Sequence, residues 1–215
     1  MTLTRRHLLM ITAAAMALAA TGTWADTTAP AAADTPIVVP DWGIGDVAAK
    51  IKMVEYLSFT CPHCERFHAE IYPKLKADYI DTGKVRLEYH EVYFDQLGLL
   101  GAMMARCGGE MRYMGITDML YAKQRDWAGA ADTAAAVVEL KKIARTAGMT
   151  DDQVDVCLKD DKIAQALVAH YQANIAKDYP GDSFKGTPSF IINGAQYGNM
   201  AYEDLQKILD AELAK

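Results

Sequence analysis

Ile51-Lys52-Met53-Val54-Glu55-Tyr56-Leu57-Ser58-Phe59-Thr60-Cys61-Pro62-His63-Cys64 is the stretch whose reading decides the fold. Ile51 to Phe59 is apolar enough to predict a strand buried on both faces. Residues 51, 53, 55, 57 and 59 share one of those faces and read Ile, Met, Glu, Leu, Phe, so Glu55 is the one acid in an apolar row. The pattern then turns helical at Pro62. Cys61 and Cys64 are three apart, which on a helix puts both sulfurs on one face. Cys61 falls at the helix N-terminus, where free N–H groups and the helix dipole favour a thiolate. Pro62 suits the first turn, since its missing N–H costs nothing there. His63 in its cationic form gives a second reason for a low thiol pKa at Cys61.

Working outward, the helix is expected over 62–80, interrupted before Pro73, and Asp81-Thr82-Gly83 ends it. Val85 to Phe94 predicts a second long strand, and strand, helix, strand at this separation implies a parallel βαβ unit. Upstream, Ile37 to Val39 is expected as a short edge strand and Asp41 to Asp46, with Gly43 and Gly45, as a turn. Downstream, residues 98–179 read as helical throughout: Val137, Leu140, Ala144 and Ala147 fall at helical spacing, Gly148 closes that helix, and Thr150-Asp151-Asp152-Gln153 is a capping box opening the next. Ile163, Leu167, Tyr171 and Ile175 line one face of the last helix of this segment. Strand signals return at Ser189–Ile192 and Ala195–Gly198, joined by the hairpin dipeptide Asn193-Gly194. Leu205, Ile208, Leu209 and Leu213 mark a closing amphipathic helix.

The amino terminus has its own logic. Arg5 and Arg6 precede an apolar run, Leu8 to Ala20, too short to span a bilayer, which takes about 20 residues. Thr23-Trp24-Ala25 offers small residues where a signal peptidase reads, so residues 1–25 are expected to be a signal peptide cleaved after Ala25, with an uncleaved anchor as the rival reading. The paired arginines fit a twin-arginine signal as well as a Sec signal. Residues 26–36, rich in Ala, Thr and Pro, read as a flexible leader. Cleavage would remove two basic residues and no acid, leaving 20 basic against 28 acidic residues, a net charge of −8. No basic patch suggests nucleic acid. The remaining length, about 190 residues, fits one domain or one domain with an insertion, and supports a core without disulfide staples. Export would place the four cysteines in an oxidising compartment.

The order of strand, Cys61-Pro62-His63-Cys64, helix, strand, helical insertion, Gly186-Thr187-Pro188, hairpin and final helix resembles the thioredoxin fold. With the insertion and this dipeptide between the cysteines, the chain resembles the DsbA family of periplasmic thiol:disulfide oxidoreductases. Glu55 to Cys64, Tyr89-His90, and Gly186-Thr187-Pro188 with Asn193-Gly194 carry the resemblance, in the family's order and over nearly all of the mature chain. It implies an α/β thioredoxin-like domain, residues 37–97 and 180–215, with a helical subdomain, residues 98–179, inserted between its βαβ and ββα halves. It implies Cys61 as the exposed nucleophile, Cys64 as its buried partner, Glu55 as a buried acid beneath them, and Thr187-Pro188 as a cis peptide whose Thr187 backbone groups pair with the substrate chain. The reaction implied is donation of a disulfide to reduced exported proteins, with a membrane quinone reductase of the DsbB type as partner, no cofactor and a monomeric protein. Some members carry a further cysteine pair in the insertion, so Cys107 and Cys157 are expected to form a structural disulfide; free thiols and a second redox pair are the alternatives.

Other readings compete. Thr187 before Pro188 leans toward disulfide isomerases or reductases, which resemble this chain there, but these carry a dimerisation domain for which the segment ahead of the fold is too short. Cys61, Cys64, His63 and His68 could be recruited to a zinc site, but a helix does not present them tetrahedrally, so no metal is expected. Met103, Met104, Met111, Met114 and Met119 read as core filling, with a substrate groove or a copper-binding chaperone as rival uses. His90, alone in its strand, reads as a satisfied core or surface residue.

Overall fold

The computed structural model describes residues 37–215; the signal peptide and leader expected over residues 1–36 lie outside the described residues. Five strands form one sheet in the order β1-β3-β2-β4-β5, with β1 Trp42–Ile44, β2 Ile51–Leu57, β3 Val85–Glu91, β4 Ser189–Ile192 and β5 Ala195–Tyr197. β2 sits at the centre, parallel to β3 and antiparallel to β4, while β1 and β5 close the edges antiparallel to β3 and β4. Central placement is what the apolar run demands: Ile51, Met53, Glu55 and Leu57 are buried on one face, and Tyr56 is buried on the other. The Glu55 face pairs across to Tyr89 and Phe190.

The helix after Cys61 breaks where Pro73 forbids continuation. α1 covers Pro62–Glu70, α2 covers Tyr72–Leu75, and a π-helical turn, Lys76–Ile80, completes the segment. Gly83 adopts a positive φ of 74° and turns the chain back into β3. Phe67 of α1 packs on Phe190 with ring centroids 5.0 Å apart, which seats α1 on the Glu55 face of the sheet.

Between β3 and β4 the chain is helical: α3 Gln96–Cys107, α4 Glu110–Ala122, α5 Gln124–Trp127, α6 Thr133–Thr146, α7 Asp151–Leu158 and α8 Asp161–Asp178. The Thr150/Gln153 capping box opens α7 with both reciprocal bonds in place. α8 covers the opposite face of the sheet, where the Tyr56 hydroxyl donates to Asp178 Oδ2 at 2.7 Å. Asn193 and Gly194 take positive φ values of 45° and 88° at the hairpin tip, as a two-residue turn requires, and α9, Tyr202–Ala214, ends the fold. No helix among the described residues is long and apolar enough to cross a membrane.

One element differs from the sequence expectation. Residues 37–40 are irregular, and the first strand is Trp42–Ile44, inside the segment expected as a turn. Gly43 is there for close approach rather than for turning: a Cβ on it would run into the Leu87 carbonyl and the Glu88 backbone of β3. β2 and β3 also end at Leu57 and Glu91, before Phe59 and Phe94.

A buried carboxylate joins insertion and sheet. Glu91, at the end of β3, receives two hydrogen bonds from Arg106 of α3, at 2.8 and 2.7 Å, and one from the Tyr113 hydroxyl of α4 at 2.6 Å. These charge-assisted bonds satisfy a carboxylate that burial would otherwise penalise. Cys107, ending α3, is bonded to Cys157 of α7, with Cα atoms 5.9 Å apart and a sequence separation of 50. Mass spectrometry after blocking of free thiols is expected to find Cys107 and Cys157 unmodified until reductant is added, and replacing both with Ser is expected to lower stability by about 4 kcal/mol, the chain-entropy value for such a loop. Alkylated Cys107 in the unreduced protein would contradict the bond.

Candidate active site

Cys61 is the N-cap residue of α1, with extended backbone angles, and Pro62 follows at the first helical position. The loop feeding it is held from three directions. The Cys61 N–H donates to the Ser58 carbonyl at 3.1 Å. The Thr60 hydroxyl donates to Asp95 Oδ2 at 2.9 Å, while Asp95 Oδ1 caps α3 by accepting from the Gly98 N–H at 2.7 Å. The buried amide of Gln124 donates to the carbonyls of both Phe59 and Cys61, each at 2.9 Å. Gln124 and Asp95 come from the insertion side of the chain, so the helical segment fixes the loop in which Cys61 sits.

The two thiols occupy unlike environments. Cys61 is half-buried and Cys64 fully buried. The Cys61 thiol is lowered to about 5, most strongly by the hydrogen bond from the Cys64 thiol; partial burial opposes this, and the Thr187 side chain and the backbone N–H groups of Cys64 and His63 assist it. These backbone donors are the free N–H groups of the first helical turn, aimed at the sulfur that caps it. The Cys64 thiol is pushed far up by burial first, then by its bond to Cys61 and by the charge of Glu55.

The Gly186-Thr187-Pro188 loop faces Cys61 across the sheet end. The Thr187-Pro188 peptide is cis, Pro188 is buried, and the Thr187 carbonyl accepts from the Cys61 Sγ–H at 3.2 Å. The Thr187 hydroxyl, buried without another partner among the described residues, is free to turn to the sulfur once the thiol proton has gone. The His63 side chain is exposed, and the His63 backbone N–H is among the donors that act on the thiol.

Glu55 is completely buried, and among the described residues its carboxylate has no hydrogen-bond partner of good geometry. The ionisable group beside it is His68 of α1, with Nε2 3.3 Å from Oε1. His68 is itself buried and stacked on Tyr121 of α4, with centroids 4.3 Å apart. The sequence offers His68 only as a conceivable metal ligand and does not single out Gln124. His90 is also buried, 3.3 Å from Asp41 and edge-on to Tyr56, on the face of the sheet away from Glu55. Of the methionines, Met103 and Met104 are core residues whereas Met111 is 98% exposed, so the group lines no common groove. Among the described residues no cluster of His, Cys, Asp or Glu is arranged to hold a metal ion.

A paired low and high thiol at a helix start, facing a Thr-Pro loop, can be set beside known proteins. The thioredoxin family model matches residues 38–211. This chain is a DsbA-like member of the thioredoxin family. A Rickettsia bellii relative described as a protein-disulfide oxidoreductase is 33% identical over 171 residues, which is 79% of this chain and 63% of the relative. The chain therefore spans about three fifths of that relative's length. The crystal structure of Wolbachia pipientis α-DsbA1 superposes with a TM-score of 0.73 at 26% identity, covering 83% of this chain and 93% of that one. A Novosphingobium aromaticivorans structure described as a protein-disulfide isomerase gives 0.70 at 25% identity, over 81% and 98% of the two chains.

The asymmetry of this DsbA-like site has a direct signature. Alkylation of Cys61 by iodoacetamide is expected to rise through about pH 5 and to be nearly level from about pH 6.5 to about pH 8. An ordinary thiol, titrating near about 8.5, would still be climbing across that range. Cys64 is expected to stay unmodified throughout.

Proposed function

We propose that this protein donates disulfides to exported proteins in the periplasm. The observation that carries the reading is the split between a half-exposed Cys61 thiol lowered to about 5 and a buried Cys64 thiol pushed far up. In the donating direction a substrate thiolate attacks the Cys61 sulfur of the Cys61–Cys64 disulfide, and the bonding pair leaves on Cys64, which takes up a proton. A second substrate thiolate then attacks the substrate sulfur of the mixed disulfide. Cys61 departs as a stabilised thiolate, so the substrate keeps the new disulfide and the protein is left reduced. Thiolates of low pKa leave faster, and a stabilised thiolate also makes the disulfide form the stronger oxidant. DsbA proteins are an established example of both properties, a strongly lowered cysteine pKa and an oxidising disulfide.

The remaining groups have roles that fit this direction. Cys61, Pro62, His63 and Cys64 form the reacting turn, with the His63 N–H among the donors to the sulfur. Glu55, buried and close enough for its charge to act on Cys64, is the group placed to exchange a proton with that thiol. Thr187 and Pro188 form the edge against which an extended substrate segment would lie, and exposed Phe94, next in sequence to the Asp95 that holds Thr60, offers an apolar contact at the same rim. Cys107–Cys157 is structural in this scheme. The protein works as a monomer, is exported by a Sec or twin-arginine signal, and is reoxidised by a membrane quinone reductase of the DsbB type. The Rickettsia relative's description as a disulfide oxidoreductase supports the reaction class.

Isomerisation is the second reading, favoured by Thr187 before Pro188 and by the description of the Novosphingobium structure. Two refolding assays separate the two. With reduced, unfolded substrate the oxidised protein is expected to restore activity stoichiometrically, and with scrambled substrate the reduced protein is expected to restore little. Recovery from the scrambled substrate alone would overturn the donor reading.

A further inference from the structure

The buried acid has a route to solvent. Glu55 is enclosed on all sides, yet a proton exchanged with Cys64 must come from water and return to it. His68, beside it, stands between Glu55 and a cavity of about 330 Å³ set against α1, α2 and α4. Ala69, Pro73, Asp118 and Ala122 on the cavity lining are exposed, so it opens to solvent. Within the fold His68 faces Glu55 from β2, Tyr89 from β3, Tyr72 from α2 and Tyr121 from α4. Around the cavity the charged groups are Glu65, Lys76 and Asp118, and the Asp118 carboxyl feels the charges of His68 and Lys76. Both ring nitrogens of His68 are buried, with no hydrogen bond of good geometry among the described residues. A histidine stacked in place on Tyr121, unspent by other bonds and lying between a sealed carboxylate and an open cavity, has what a proton carrier needs.

The geometry points to His68 as the positioning and relay residue that connects Glu55, and through it Cys64, to the water-accessible cavity between α1, α2 and α4. The inference rests on the redox reading of Cys61 and Cys64 and deepens it. When Cys64 leaves as a thiolate, Glu55 in its acid form gives it a proton, the His68 imidazolium restores the proton to Glu55, and water in the cavity restores the proton to His68. When a disulfide oxidant has been captured by Cys61 as a mixed disulfide, the same path runs outward. The Cys64 thiol proton passes to the Glu55 carboxylate, Cys64 attacks the Cys61 sulfur, the oxidant's second sulfur departs as a thiolate, and His68 carries the proton to the cavity.

Oxidised glutathione supplies a test that needs no protein substrate. Reduced protein is mixed with it at neutral pH, quenched with acid, and the Cys61–glutathione mixed disulfide is counted by mass. In His68→Ala the mixed disulfide is expected to accumulate because its resolution slows about a hundredfold, the lower end of general acid–base effects. Alkylation of Cys61 is expected to keep the wild-type rate. Added imidazole, small enough for the cavity and the vacated space, is expected to recover most of the resolution rate. In His68→Gln, which fills that space without carrying a proton, resolution is expected to be as slow and imidazole to give no recovery; this variant also covers the case in which the alanine variant does not fold. Resolution at the wild-type rate in either variant, or slow resolution in His68→Ala that imidazole leaves unchanged, would overturn the relay. Failure of the donor reading would appear elsewhere, as a wild-type protein that resolves its mixed disulfide normally yet does not oxidise reduced proteins.

Discussion

The hydrogen bonds that converge on the Cys61 sulfur at the amino end of α1 are the interaction on which the rest of the arrangement depends. A sulfur at that position receives the N–H groups that a helix leaves unpaired, and here it also receives the Cys64 thiol, with the Thr187 hydroxyl close enough to turn to it as a thiolate. Each donor requires a different part of the chain. The helix must start at Pro62, the sheet must bring the 186–188 loop to the same end as α1, and Cys64 must be buried one turn on without losing its reach. The central position of β2 meets the second condition, since β4 pairs with it directly and delivers Pro188 beside Cys61.

The helical insertion braces this loop and buries the acid beneath it. Gln124 ties the Phe59 and Cys61 carbonyls, and Asp95 joins Thr60 to the start of α3. The Cys61 carbonyl also accepts from the Glu65 N–H, so loss of Gln124 would strip its bond chiefly from the Phe59 carbonyl, at a cost of about 1–3 kcal/mol, and one glutamine contributes a substantial part of the loop's rigidity. Tyr121, from the same part of the insertion, closes over His68 and through it over Glu55. The subdomain is thus part of the site's electrostatics as well as of its walls.

Much of this is legible in the sequence because it is local. The apolar run before Cys61, the spacing to Cys64, the Pro73 break, the capping box at Thr150 and the Asn193-Gly194 turn each follow from residues within a few positions of one another. Glu55 stands out because a strand alternates faces and an acid in an apolar row has nowhere else to point. What the sequence does not disclose is long-range. Gln124 meets its carbonyls across 63 and 65 residues, and nothing in the Gln124-Arg125-Asp126-Trp127 stretch marks that amide as different from any polar residue of a short helix. His68 looks like one more position on α1; only the seating of α1 on the Glu55 face gives it a partner. Trp42–Ile44 reads as a turn because the glycines at 43 and 45 usually mean one, whereas Gly43 is needed so that the edge strand can lie close against β3.

Through these contacts the fold stabilises the Cys61 thiolate, and with it the reduced protein. The sign follows from linkage. The folded-state pKa, about 5, lies below that of an unfolded thiol, so the stabilisation is full above the unfolded value and is lost as pH falls through the folded one. The oxidised protein has no such thiol to titrate. The most direct measurement is therefore the thermal midpoint of reduced and oxidised protein, compared between about pH 8, just below the ordinary thiol range, and the folded value near about 5. The reduced form is expected to gain on the oxidised form steadily as pH rises across this window. A difference that stays constant across it, or that moves the other way, would contradict a fold-stabilised thiolate.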